Sequence, residues 1–173
     1  MENKTRAPKL SDRIRGRKLP HIGLLNREEL EEIISLGEWF RENRYDMTYS
    51  DLLKGRVQAL LFVYESTRTR MGFEAAMAQL GGHNIYLPVK ETQMGRGESA
   101  ADTARAMDQF IDVFSGRLWK QDDMDTFAKH LNCPVLNACT PLDHTTHVIG
   151  ELMCIKQAKG KLEGLLQIID VAD

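Results

Sequence analysis

Val57-Gln58-Ala59-Leu60-Leu61-Phe62-Val63 runs straight into Tyr64-Glu65-Ser66-Thr67-Arg68-Thr69-Arg70, and then into Phe73, Ala76, Met77 and Leu80 at helical spacing. A short apolar run with β-branched ends suits a strand covered on both faces better than a helix. The polar turn stops it, and Gly81-Gly82 can adopt the left-handed geometry that ends the helix that follows. Strand, loop, helix is therefore the unit.

The unit repeats outward. Upstream, Asn26 and Glu29 read as a capping box ahead of Leu30, Ile33, Ile34, Gly37 and Phe40, predicting a helix to about Asn43. Downstream, residues 84–87 read as a strand, and Ser99 caps a helix through Thr103, Ala104, Met107 and Phe110. Residues 112–115 form a weak third strand, Asp122 or Asp123 starts a helix through Phe127, Ala128 and Leu131, and residues 134–137 give a fourth strand. A last helix covers about residues 145–158. Alternation of this kind predicts an α/β fold, a parallel sheet of about four strands flanked by helices on both faces, because each right-handed crossover needs a helix to return the chain.

Gly160 and Gly164 then make a hinge-like break before a β-like run at 165–171. A lone strand cannot pair its backbone, so residues 159–173 read as a hinge and the first strand of a second domain that is missing, and the chain reads as truncated. The alternative is an edge strand of the first sheet.

With 173 residues, 42% hydrophobic and 28% charged, the chain has the balance of a soluble globular domain. Its formal net charge of -2 gives neither nucleic acid nor an anionic membrane a global attraction. The charge is uneven, about +5 over residues 1–20 against about -7 elsewhere. Residues 1–20 read as a basic, solvated N-terminal arm, with a transit peptide or polyanion-binding tail as alternatives. The arm lacks the interleaved aromatics of a nucleic-acid binder, and no run is apolar enough to span a bilayer. A cytoplasmic protein is expected. Cys133, Cys139 and Cys154, odd in number and without a Cys-x-x-Cys pair, read as reduced, packed thiols. His83, His130, His144 and His147 are too scattered for a metal cluster, so no metal is expected.

Ligands of an open parallel sheet bind beyond the carboxyl ends of its strands. Four loops lie there. Ser66 to Arg70 offers hydroxyls, guanidiniums and the N–H groups of a helix start, which on residues alone read equally as a phosphate cradle or as surface capping. Gln93-Met94-Gly95-Arg96-Gly97-Glu98-Ser99 is a flexible polar loop. Arg117 comes just past the third strand, as a site residue or a surface one. The fourth loop leads through Cys139, Thr140 and Pro141 to Asp143 and His144, a site histidine or a helix-capping or core one.

Ser66-Thr67-Arg68-Thr69-Arg70 with Phe73-Glu74 and Leu80-Gly81-Gly82 resembles the signature of the aspartate and ornithine carbamoyltransferase family. Gly97-Glu98-Ser99, Asp102-Thr103-Ala104-Arg105, Arg117, Pro134-Val135 with Asn137, and His144 follow in that family's order, over about residues 17–170. The Asp-Thr-Ala-Arg stretch and the Gln93–Arg96 loop look more like the ornithine branch. The resemblance implies that residues 21–158 are a carbamoyl-phosphate-binding domain. Ser66, Thr67, Arg68 and Thr69 would hold the phosphate, with Arg68 as bidentate clamp, and Arg117 and His144 would point at the carbonyl oxygen. Gln93 would reach a neighbour's site in a homotrimer. No cofactor, metal or covalent intermediate is implied, and the amino-acid substrate would bind through the missing domain. In this chain the family's His-Pro-x-Gln becomes His144-Thr145-Thr146-His147, so an imidazole, His147, replaces the glutamine amide at the carbamoyl group. A non-catalytic phosphate-binding or oligomerisation module derived from the family is the alternative function.

Overall fold

A computed structural model describes residues 7–163. Strands β1 (Val57–Phe62), β2 (His83–Pro88), β3 (Val113–Arg117) and β4 (Val135–Cys139) form one all-parallel sheet in the order β2-β1-β3-β4. Among the described residues five α-helices accompany it: α1 (Arg27–Glu42), α2 (Thr67–Gln79), α3 (Ala100–Met107), α4 (Gln121–His130) and α5 (Thr145–Lys159).

The two-residue period of β1 divides the core. Ala59 and Leu61 join Phe114, Val135, Ala104, Met124 and Phe127 on the face covered by α3 and α4, where the Phe114 and Phe127 rings stack at 4.4 Å. Leu60 and Phe62 pack with Ala138, Phe73 and Tyr86 on the other, beneath α2 and α5, and α1 packs outside α5. The expected α/β sheet with helices on both faces is present. Chain direction reverses after β2, so β1 and β3 are neighbours whose crossovers leave on opposite faces, and a crevice opens above their carboxyl ends.

The capping box forms as read, with the Asn26 side chain accepting from the Glu29 N–H and Glu29 accepting from the Asn26 N–H. Gly81 sits at φ +84° after α2, and a Cβ there would lie 2.2 Å from the Ser50 carbonyl oxygen. Other boundaries differ from expectation. β3 continues to Arg117 and β4 to Cys139, and α3 stops at Met107, leaving Phe110 exposed. The helix ends in tighter i→i+3 turns through Phe110, and the Asp108 carboxylate, accepting from both the main-chain and side-chain N–H of Asn132, pins that end to the end of α4. α4 begins at Gln121 with Lys120 at its N-cap and no side-chain cap; Asp122 and Asp123 lie in its first turn, where the helix dipole favours them.

The end of the arm is not solvated. Ile14 and Leu19 are buried, Leu19 bridges to Leu136 in parallel, and its N–H and carbonyl bond to Val135 and Asn137. Arg17 pairs with the buried Glu29 at 2.7 Å. The apolar Leu19 and an unpaired β4 edge outweigh the arm's charge. Of the thiols, Cys139 is buried and Cys133 half-buried, but Cys154 is exposed rather than packed. Among the described residues no helix is long and apolar enough to cross a membrane. The β-like run at 165–171 lies outside the described residues.

Candidate active site at the carboxyl edge of the sheet

Register brings the strand ends together: Phe62 of β1 lies beside Arg117 of β3, and Arg117 beside Cys139 of β4. The β3–β4 ladder shifts register between Gly116 and Arg117, and Cys139 takes φ +149°, with its N–H donated to Asn137 Oδ1 at 2.9 Å. A side chain on a positive-φ backbone is strained, and it persists where its surroundings over-determine it.

Ser66 is the N-cap of α2 and Thr67 to Arg70 are its first turn. Neither the Ser66 side chain nor any acidic residue answers the first N–H groups of this helix, so its positive end faces the crevice without a built-in anion. Thr67 and Arg68 are exposed, Ser66 and Thr69 half-buried. The two guanidiniums divide. Arg70 donates to Glu74 at 2.8 Å and stacks 3.6 Å over the Tyr86 ring, a structural post, whereas Arg68 has no described partner.

Arg117 is the last residue of β3, not one beyond it, and at 6% exposure it is no surface arginine. Its guanidinium lies 4.2 Å over the Tyr64 ring, which packs against Trp119 at 4.6 Å. His144, 7% exposed, is the N-cap residue of α5. Its Nε2 is 3.4 Å from Thr69 Oγ1 and its Nδ1 3.4 Å from Thr146 Oγ1. Burial first, then the neighbouring His147 and Arg117, push its pKa down to about 4, so the imidazole is neutral at pH 7. A neutral ring there can donate one hydrogen bond without adding charge beside Arg117. His147 is exposed, its ring centroid 5.2 Å from that of His144 and its Nε2 2.8 Å from Glu151 Oε1.

The structure thus gathers Thr69, Arg117, His144 and His147, with Ser66, Thr67 and Arg68 on the turn that carries Thr69. Gln93 is not among them: it is exposed on a separate loop, where its carbonyl accepts from the N–H groups of Arg96 and Glu98. Sequence reasoning did not single out Tyr64, and it named Asn137, Thr140 and Asp143 without the buried hydrogen bonds that join them beside His144. Asn137 Nδ2 donates to the Pro20 carbonyl at 2.7 Å, Thr140 Oγ1 to Gln121 Oε1 at 2.7 Å, and Thr145 Oγ1 to Asp143 Oδ1 at 2.8 Å. The Ile22 N–H donates to the other Asp143 oxygen at 2.9 Å. Buried polar groups so satisfied hold the loop in one arrangement. The partners Pro20, Gln121 and Ile22 lie far along the chain from them, so the sequence carried no sign of the network.

The profile of the family described as "Aspartate/ornithine carbamoyltransferase, carbamoyl-P binding domain" matches residues 17–157. This chain belongs to that family. An ornithine carbamoyltransferase of Oceanobacillus iheyensis is 36% identical over 152 residues, covering 88% of this chain and 47% of the relative. One from Synechocystis is 41% identical over 153 residues, with 87% and 47% covered. Among solved structures, the ornithine carbamoyltransferase from Pyrococcus furiosus superposes with a TM-score of 0.81 at 34% identity, over 87% of this chain and 48% of that one. Aspartate transcarbamoylase from Trypanosoma cruzi, in complex with carbamoyl aspartate and phosphate, gives 0.80 at 26% identity, over 90% and 49%. The chain spans about half the length of the carbamoyltransferases it matches.

Proposed function

We propose that this chain is the carbamoyl-phosphate-binding half of an amino-acid carbamoyltransferase, of the ornithine type. The observation that carries the reading is the Ser66–Arg70 turn at an uncapped helix N-terminus, touching His144 beside Arg117 where the sheet order reverses. On this reading the N–H groups of α2, the hydroxyls of Ser66, Thr67 and Thr69, and the Arg68 guanidinium hold the phosphate. Arg117 and neutral His144 donate to the carbonyl oxygen and stabilise the negative charge it gains as an amine attacks the carbamoyl carbon. The C–N bond forms, the C–O bond to phosphate breaks, the amine loses a proton, and phosphate leaves. Holding both reactants can supply on the order of 7 kcal/mol of barrier reduction, enough for a reaction that calls on no cofactor.

The ornithine assignment is supported by the Gln93–Arg96 and Asp102–Arg105 stretches and by the names of the curated relatives. Residues 21–158 form the phosphate-binding domain, 1–20 the arm, and 159–173 the hinge into a second, amine-binding domain. The working assembly is a homotrimer in which Gln93 serves a neighbour's phosphate, which accounts for its separation from the other site residues. Unpaired thiols suit a cytoplasmic place in arginine metabolism.

Calorimetry tests the reading. Carbamoyl phosphate should bind the chain saturably, and Arg68→Ala should weaken binding at least about tenfold by removing a charge-assisted clamp. A folded chain that does not bind, or a variant that binds equally well, overturns it. The exchange of the family's glutamine for the exposed His147 favours the second reading, a module that binds without turnover, unless a neighbour fixes that ring's tautomer. Adding a complementary second domain separates the two: citrulline forms under the first and not under the second.

A further inference from the structure

We infer that Glu151 is a positioning residue that sets the tautomer of His147, so that His147 Nδ1 accepts a hydrogen bond from the amino group of a bound carbamoyl moiety. The inference rests on the carbamoyl phosphate reading and deepens it. His147 stands on α5 one turn after His144, with the two rings 5.2 Å apart, and its Nε2 meets a Glu151 carboxylate oxygen at 2.8 Å. An ionised carboxylate only accepts hydrogen bonds, so the proton of that contact belongs to Nε2. In a neutral ring the other nitrogen then carries a lone pair. Nδ1 has no described partner, and the side chain as a whole is half exposed.

The carbamoyl group completes the argument. Its carbonyl oxygen needs donors, which Arg117 and His144 supply, and its NH2 needs an acceptor. Lacking Glu151, an imidazole beside a phosphate can protonate either nitrogen and present a donor to a donor. With Glu151 holding the Nε2 proton, the neutral form of the ring offers the lone pair that a glutamine side-chain oxygen would offer. A carboxylate that holds the far nitrogen of a working histidine is a general way of fixing its tautomer and ring orientation. His147 and Glu151 together thus take the part of one amide.

The test compares carbamoyl phosphate with inorganic phosphate, both titrated by calorimetry into the full 173-residue chain. His147→Ala and Glu151→Leu should each lower the preference for carbamoyl phosphate over phosphate by about fivefold, the worth of about one hydrogen bond, and leave phosphate affinity unchanged. His147→Gln should restore the preference, since its amide oxygen accepts. Nitrogen-15 spectra of the imidazoles provide a readout free of ligand: His147 should carry its proton on Nε2 in the parent chain, and Glu151→Leu should redistribute it. A protonated Nδ1 in the parent chain, or an unchanged preference in Glu151→Leu, overturns the inference and spares the phosphate site. Failure of a folded parent chain to bind either ligand overturns the site reading and this inference with it.

Discussion

Arg117 owes its direction to an aromatic face. A buried guanidinium over the Tyr64 ring at 4.2 Å gains a cation–π attraction of about 2 kcal/mol when water is excluded, and Trp119 backs that ring in turn. Tyr64→Leu should therefore weaken carbamoyl phosphate binding about tenfold, and Tyr64→Phe, which keeps the face, should not; parallel calorimetric titrations decide it. His144 makes a second prediction. Its folded pKa of about 4 lies below the unfolded value near 6.5, so the unfolded chain binds the proton more readily. The stability this histidine contributes is complete above about pH 6.5 and is lost as pH falls toward 4. Urea midpoints measured from pH 7 to 4 should fall less steeply in His144→Gln than in the parent chain. That Arg68, Arg117 and His144 lie near strand ends was legible in the sequence, because the strand-helix alternation fixes where the loops fall; the burial of Arg117 and His144 was not. Tyr64 was not, because an aromatic after a strand has no pattern until its partner's position is known.

Among the elements, the helix starts with a side-chain cap were legible, and of those without one the start of α5 was read and that of α4 was not. Asn26 and Ser99 announce α1 and α3 because each side chain accepts from a helix N–H. Lys120 announces nothing, so the start of α4 was misplaced onto its aspartates. The strand ends ran long for a related reason: Gly116 and Cys139 are poor local evidence for a strand, and only pairing with a neighbour extends β3 and β4 through them. The turn after α2 yields a prediction at this scale. Gly81→Ala meets both a positive φ and the Ser50 carbonyl at 2.2 Å, so it should cost about 3 kcal/mol, read as a lowered urea midpoint.

For the whole molecule, the segment around Leu19 acts as a fifth, single-residue rung on the sheet. It covers the β4 edge, and the next residues tie themselves to Asn137, Gln121 and Asp143. Removing residues 1–20 should lower the melting temperature by several degrees and promote aggregation through the uncovered edge, as scanning calorimetry and light scattering would show. This was the part least legible in the sequence, since a count of charges describes a segment's average and Leu19 acts alone, through a partner more than a hundred residues away.

The bond from the Ile22 N–H to Asp143 spans 121 residues, and it bears on the order of events during synthesis. Residues near 20 leave the ribosome before their partners, which arrive only when β4 and the loop beyond it have been made. Until then the chain can assemble helices and the β1–β2 pair, but neither the sheet's outer edge nor the seat of His144. Translation must pass Asp143 before the stretch from Leu19 to Ile22 can close on the sheet, so the crevice is among the last features of the domain to form.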